Sequence, residues 1–414
     1  MISASAAAIH TLHASADTGL EEVQGLRTGV LNEAMTLLLT AFAFVLPVDL
    51  RLAGDKSIAM RIGYACLLLG LAGLIKRRTI VLPGAGFWWL LGFVGWSSFS
   101  LVWARYPDVA QHKILLYIAV FAVTAIIPQY AWDEKVRARL MDAYLAGCVL
   151  GIVGTAMNFA LGNPYTSEGE VAAEGRYSYS TDPNYLALTL VIGIPLALHR
   201  AGSVSARWQK TIELLYVPAA VAAVFLTGSR GALIALLMVI LVYALFSGVR
   251  APALLLAGAG LCMVIGALLP AQISERFTSI PEELRYGTLS DRRELWDRGK
   301  TVVSEHPLEG IGVGATSGTM DIAAHNTPLE LAMEGGVVSL SLFYGALLVG
   351  LYGAWRSNRK ESRVLIALWA AWIAGSLSLS WEINSITWFL FALLFSTASA
   401  RPVEACFHTS ASQT

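Results

Sequence analysis

Three short stretches of this 414-residue chain combine residue types that can handle charge. Gly228-Ser229-Arg230-Gly231 closes a tight turn between two apolar runs. There a guanidinium that forks onto two oxygens would sit beside the free N–H groups of a helix start, an arrangement suited to a phosphate or diphosphate. Arg176 leads into Asp182-Pro183-Asn184-Tyr185 after a polar loop. His325-Asn326 opens an apolar run, followed by Glu330 and Glu334 at i and i+4 and so on one helix face. Carboxylates at membrane depth are costly, which makes Glu334, and after it Glu330, candidates for a direct role. The plain alternatives are a snorkelling Arg230, a capping His325 and a glutamate that only pairs with an arginine.

The elements that must position these residues follow from composition. The chain is 56% hydrophobic and only 14% charged, with a mean hydropathy of +0.61, whereas soluble domains carry about a quarter charged residues. Apolar runs long enough to span a bilayer recur at roughly 30–48, 57–75, 86–104, 114–130, 140–161, 184–199, 211–227, 231–248, 251–269, 328–354, 364–381 and 384–400. They are too long and too evenly apolar for barrel strands, and only helices or closed barrels satisfy backbone groups in lipid. The expected fold is therefore an all-α membrane protein, a polytopic bundle of about twelve transmembrane helices. Residues 1–29 form a mobile cytoplasmic tail, 30–269 the first nine helices, 270–327 a large helical segment, 328–400 the last three helices and 401–414 a second tail.

Orientation follows from where Lys and Arg fall in short loops. With the N-terminus inside, Lys76, Arg77, Arg78, Lys135, Arg137, Arg139, Arg356, Arg359, Lys360 and Arg363 all gather on the cytoplasmic side. The segment 270–327 then faces outward, together with the loop from Gly162 to Asp182 and the turn at Arg230. Lys113 falls on that outward side as well. A net charge of +0 leaves no basic face for nucleic acid. Cys66, Cys148, Cys262 and Cys406 show no CxxC or Cys/His spacing, so neither a disulfide framework, a metal site nor a bound cofactor is indicated.

Within the long segment, Ser290 to Glu305 reads as an amphipathic helix lying across the bundle mouth. Leu295, Trp296, Val302 and Val303 make one side, Arg292, Arg293, Asp297, Arg298 and Lys300 the other, and Ser290 is the expected N-cap. His306-Pro307 stops it. The run Gly310-Ile311-Gly312-Val313-Gly314 follows no strand, so close backbone approach is its expected role rather than a phosphate loop.

Taken in order, Arg176 with Asp182-Pro183-Asn184, Thr227-Gly228-Ser229-Arg230, Arg293-x-x-Trp296 with His306-Pro307-Leu308-Glu309-Gly310-Ile311-Gly312-Val313-Gly314, and His325-Asn326-x-x-Leu329 with Glu334-Gly335 resemble the bacterial O-antigen ligase and polymerase superfamily. The resemblance spans about Leu31 to Ala400. It implies a metal-independent glycosyltransferase of the bacterial inner membrane with both termini cytoplasmic and a periplasmic site. The donor it implies is a glycan on undecaprenyl diphosphate, and the acceptor is a hydroxyl of lipid A–core oligosaccharide or of another glycan. Arg230, Arg176 and Arg293 would hold the diphosphate and stabilise its developing charge. His325 would deprotonate or orient the acceptor, with Glu334 beside it and Asn184, Asn326, Ser229 and Trp296 in support. His306 is structural on this reading.

Ligation onto lipid A–core in lipopolysaccharide biosynthesis leads. O-antigen or exopolysaccharide polymerisation shares the same motifs. A transporter of lipid-linked glycans is the reading from another class, but it predicts internal repeats and charge along a central path. The chain shows no repeat, and its polar residues gather on one face.

Overall fold

The computed structural model describes residues 29–48, 57–166, 176–179, 182–247, 251–285, 287, 292–320, 322–399 and 403–404. Every one of the twelve expected apolar runs is helical there. The first seven are α1 (Gly29–Val48), α2 (Ile58–Arg77), α3 (Ala85–Phe99), α4 (Pro107–Ile126, prolonged by a short turn Pro128–Ala131), α5 (Glu134–Ala160), α6 (Pro183–Ser203) and α7 (Arg207–Thr227). Next come α8 (Arg230–Ser247) and α9 (Ala251–Ala267). The polar segment supplies α10 (Ala271–Thr278), α11 (Ile280–Arg285), α12 (Arg292–Glu305) and α13 (Ala315–Met320). The chain then finishes with α14 (Thr327–Ser357), α15 (Arg359–Ser376) and α16 (Ser385–Ala398). Two residue pairs, Thr79–Ile80 and Val403–Glu404, form a small antiparallel ladder that hydropathy had not suggested.

By length and apolarity, eight of these helices can cross a membrane, α1 to α7 and α14. α8, α9 and α16 are apolar but shorter, and α15 opens on the charged turn Arg359-Lys360-Glu361. The fold is an all-α membrane bundle. The expected tail before residue 29, the Ser290 cap and most of the segment after 400 lie outside the described residues.

The helix starts have local causes. Asp133, Asp182, Asn326, Asn358 and Asn384 each accept a backbone N–H of the first turn through the side chain, the capping that Asp and Asn supply. Pro107, Pro183 and Pro328 occupy first-turn positions where a missing N–H costs nothing. α6 and α7 pack along each other, as do α3 and α14 and α8 and α15. Trp369, Trp372, Trp381 and Trp388 are all fully buried between the last three helices and their neighbours.

Two of the boundaries that differ from the hydropathy reading bear on the site. α4 begins at Pro107 rather than near 114, so Lys113 lies almost two turns inside the helix. A charged residue interrupts hydropathy but does not interrupt a helix once its charge is paired. α15 ends at Ser376 rather than 381, and Leu377 to Asn384 form a loop inside the bundle. Backbone that leaves a helix there needs partners. Leu379 O accepts from Thr327 N and from Thr327 Oγ1 (3.1 and 2.8 Å), Ser378 O from Arg292 Nη1 (2.9 Å) and Ser380 O from the Tyr185 hydroxyl (3.1 Å).

α14 is also broken. Gly336 takes φ 65, ψ −165, which ends the regular hydrogen-bond ladder. The glycine run repairs the break from outside: Ile311 N donates to Met333 O (2.8 Å), Gly312 N to Glu334 O (2.9 Å), and Val337 N to Pro307 O (2.8 Å). A Cβ on Gly310 would lie 2.5 Å from Met333 O, so the run is held at backbone contact distance, as its composition suggests.

Gly336→Ala tests this arrangement. Its methyl would lie 2.0 Å from Leu308 O and its φ is positive, so a loss of at least about 1–3 kcal/mol is expected. A drop of several degrees in the thermal midpoint of the purified protein is the corresponding measurement. An unchanged midpoint would show that the break does not depend on glycine.

Candidate active site

The start of α6, the turn between α7 and α8, α10, α12 and the 377–384 loop meet at one end of the bundle. Arginine is what they share. Arg176 Nε donates to Thr227 O (2.9 Å) and its Nη2 to Asn184 Oδ1 (2.9 Å), so two of the expected site residues are directly bonded. Thr227 in turn ends α7, and buried Ser229 caps α8, where Arg230 takes the first position. The side chains of Arg276 and Arg176 lie 3.2 and 3.5 Å from where a Cβ on Gly228 would stand. Arg292 reaches the same group through Ser378 O, and Gly231 packs against the Ser378 side chain.

The electrostatics mark these side chains as one cluster. Burial, then the neighbouring Arg276 and Arg292, pull the Arg176 guanidinium down to about 10, with Asp182 working in the opposite direction. Burial and Arg230 lower Arg276. Burial lowers Arg292 too, with Asp182 and Tyr185 opposing it and Arg230 adding to it. At about 10, the Arg176 guanidinium remains cationic at neutral pH. Four guanidinium groups gather with one carboxylate, Asp182, and a cluster of this composition suits an anion such as a diphosphate.

α12 is amphipathic as expected, but with a shifted polar face. Leu295 is buried with Met320 and Met333 and packed by Val302, Val303 and Leu329. Arg292 is the residue turned to the 377–384 loop, while Arg293 is exposed. Trp296 anchors the chain that follows α13, its Nε1 donating to Ala324 O (3.0 Å). That bond fixes the backbone immediately before His325, which adopts φ 47, and Asn326 then caps α14 by accepting from Leu329 N (3.0 Å). A left-handed histidine persists only where its surroundings hold it. Trp296 and Asn326 hold it from either side. His306 stands apart, exposed at the end of α12 with Nδ1 3.4 Å from Glu309.

Glu330 and Glu334 face a partner that the sequence did not single out. Lys113 Nζ lies 3.1 Å from Glu330, 2.9 Å from Glu334 and 3.1 Å from Glu382. The four side chains are 13%, 8%, 3% and 1% exposed, so the charges meet out of water. Ser380 Oγ also donates to Glu330. Glu382, in the 377–384 loop, is pushed up to about 8 by burial and then by Glu330, with Lys113 working in the opposite direction. Lys113, Glu382, Arg276 and Arg292 are the additions that tertiary structure makes to the site. The available sequence signal was a lone lysine and a lone glutamate beside apolar runs.

Residues 215–344 match the family model described as O-antigen ligase. No curated protein matches the chain. The matched stretch contains Arg230, Arg276, Arg292, Trp296, His325, Glu330 and Glu334, while Lys113, Arg176, Asn184 and Glu382 come to the same end of the bundle from outside it. Over that stretch the chain is similar to the O-antigen ligase family, and its apolar helices make it a multi-pass membrane protein.

Proposed function

We propose that this protein transfers a glycan from undecaprenyl diphosphate to a saccharide hydroxyl at the periplasmic face of the bacterial inner membrane, as an O-antigen ligase acting on lipid A–core oligosaccharide. The observation that carries the reading is the convergence of Arg176, Arg230, Arg276 and Arg292 on the helix starts next to the His325-Asn326 segment. In the transfer, the acceptor oxygen forms a bond to the anomeric carbon as the bond from that carbon to the diphosphate oxygen breaks. The arginines take up the negative charge that develops on the leaving diphosphate. His325 receives the acceptor proton or orients the hydroxyl, and its fixed backbone keeps the imidazole in register. Glu334 acts one step removed, through the Lys113 group.

Removing His325 (His325→Ala) is expected to lower transfer by about 10²–10⁴-fold with normal protein in the membrane. Wild-type levels of surface polysaccharide in that strain would rule out the base assignment.

The arginines can be ranked. Arg230→Ala should abolish donor use and Arg230→Lys should restore it only in part, because a point charge does not fork onto two oxygens. Arg292→Ala should impair transfer more than Arg293→Ala, measured as initial rates with lipid-linked glycan. Equal rates for these two variants would place the diphosphate elsewhere.

Ligation and polymerisation separate in a gene deletion. Loss of ligase leaves polymer on undecaprenyl diphosphate, whereas loss of polymerase leaves single repeat units on the lipid A–core.

A further inference from the structure

An ammonium has three N–H donors, and Lys113 places all three on carboxyls from two separate elements. Glu330 and Glu334 belong to the part of α14 before its break, and Glu382 belongs to the 377–384 loop. A buried ion group of this type is a poor source of net stability, since apolar side chains of similar volume do as well or better. It does specify geometry, because every member must stay in place to keep the others paired. Among the described residues, Tyr117 of α4, Tyr185 of α6 and Tyr344 of α14 are the other titratable groups that interact with it, and none supplies a compensating positive charge. One lysine therefore answers for three carboxyls.

Its position along the chain matters as much as its charge. The break at Gly336 disconnects the first nine residues of α14 from the rest of the helix. That piece follows directly on His325-Asn326, and its other end is held by the glycine run and by Trp96, whose Nε1 donates to Gly335 O (2.9 Å). Lys113 grips it through Glu330 and Glu334, about 4.5 and about 10.5 Å from its start at 1.5 Å per residue. The same lysine grips the loop whose Ser378 receives Arg292 and whose Ser380 donates to Glu330.

We propose that Lys113, Glu330, Glu334 and Glu382 form a buried charge clamp that positions the transfer site, holding the His325 end of α14 against the loop that seats Arg292. Lys113 is a positioning residue, because it acts on the donor and acceptor through these two segments. As a statement about catalysis, this rests on the glycan-transfer reading above. As a statement about structure, it does not.

The test uses the purified full-length protein in lipid nanodiscs and reads two quantities. One is hydrogen–deuterium exchange over 322–335 and 377–384, whose Thr327 and Trp381 amides are bonded across the junction, with 183–203 as the internal reference. The other is the rate of transfer as a function of lipid-linked donor concentration. Lys113→Met is expected to speed exchange in both segments about tenfold and leave the reference unchanged. Its kcat should fall about a hundredfold while donor KM moves less than about threefold, because the defect is in geometry rather than donor contact.

Because the residues act as one unit, the losses should not multiply. Lys113→Met with Glu330→Gln and Glu334→Gln should be no slower than Lys113→Met alone. Glu382→Gln keeps size and one acceptor, and serves if the lysine variant does not fold; it should speed exchange in the same two segments. Unchanged exchange in these segments would overturn the clamp, as would multiplying losses or a change confined to KM. Faster exchange with wild-type turnover would overturn its role in positioning the site. A wild-type protein with no transfer activity would remove the glycan-transfer reading, while the exchange measurements would still decide the clamp.

Discussion

Inside a membrane bundle, any backbone that leaves the helix must find a partner for each N–H and C=O it releases, because lipid supplies none. Most of this structure obeys by staying helical. It departs twice in the bundle interior, at Gly336 and at residues 377–384, and both departures lie at the end that holds the arginines. Each is repaired by a segment from elsewhere in the chain. The glycine run serves the first, and Thr327, Tyr185 and Arg292 serve the second. The repair bonds are also what bring distant motifs together, so the solvation constraint and the assembly of the site are one arrangement.

Charge follows a similar logic. Two clusters of opposite sign occupy neighbouring positions, one of four arginines with Asp182 and one of three glutamates with Lys113. The 377–384 loop separates them and belongs to both, through Ser378 on one side and Ser380 with Glu382 on the other. The arginine cluster has an excess of positive charge, which suits an anionic ligand. The glutamate cluster is closed on its own lysine. Removing one partner from such a buried group commonly costs about 3–5 kcal/mol, because the others are left uncompensated.

Much of this could be read along the chain. Each of the twelve apolar runs falls on a helix, since hydropathy depends only on local composition. Pro328 falls in the first turn of α14 as its place at the start of an apolar run suggests, because a helix start needs only residues within one turn. The amphipathic pattern of α12 and the close approach of Gly310 to Gly314 were legible for the same reason. Arg176 with Asn184 emerged as a bonded pair eight residues apart in sequence. The choice between Arg292 and Arg293 did not, since adjacent positions on a helix differ in direction by a rotation that depends on how the helix is docked.

By itself, then, the sequence determined the membrane class, the helical runs and the amphipathic pattern of α12. Each of these rests on composition or on contacts within a turn or two. Only tertiary structure decided which polar residues meet. Lys113 and Glu330 are separated by 217 positions, and Lys113 and Glu382 by 269. An isolated charge beside an apolar run carries no mark of its partner. Its burial becomes tolerable only once the partner arrives, and the fold supplies that partner.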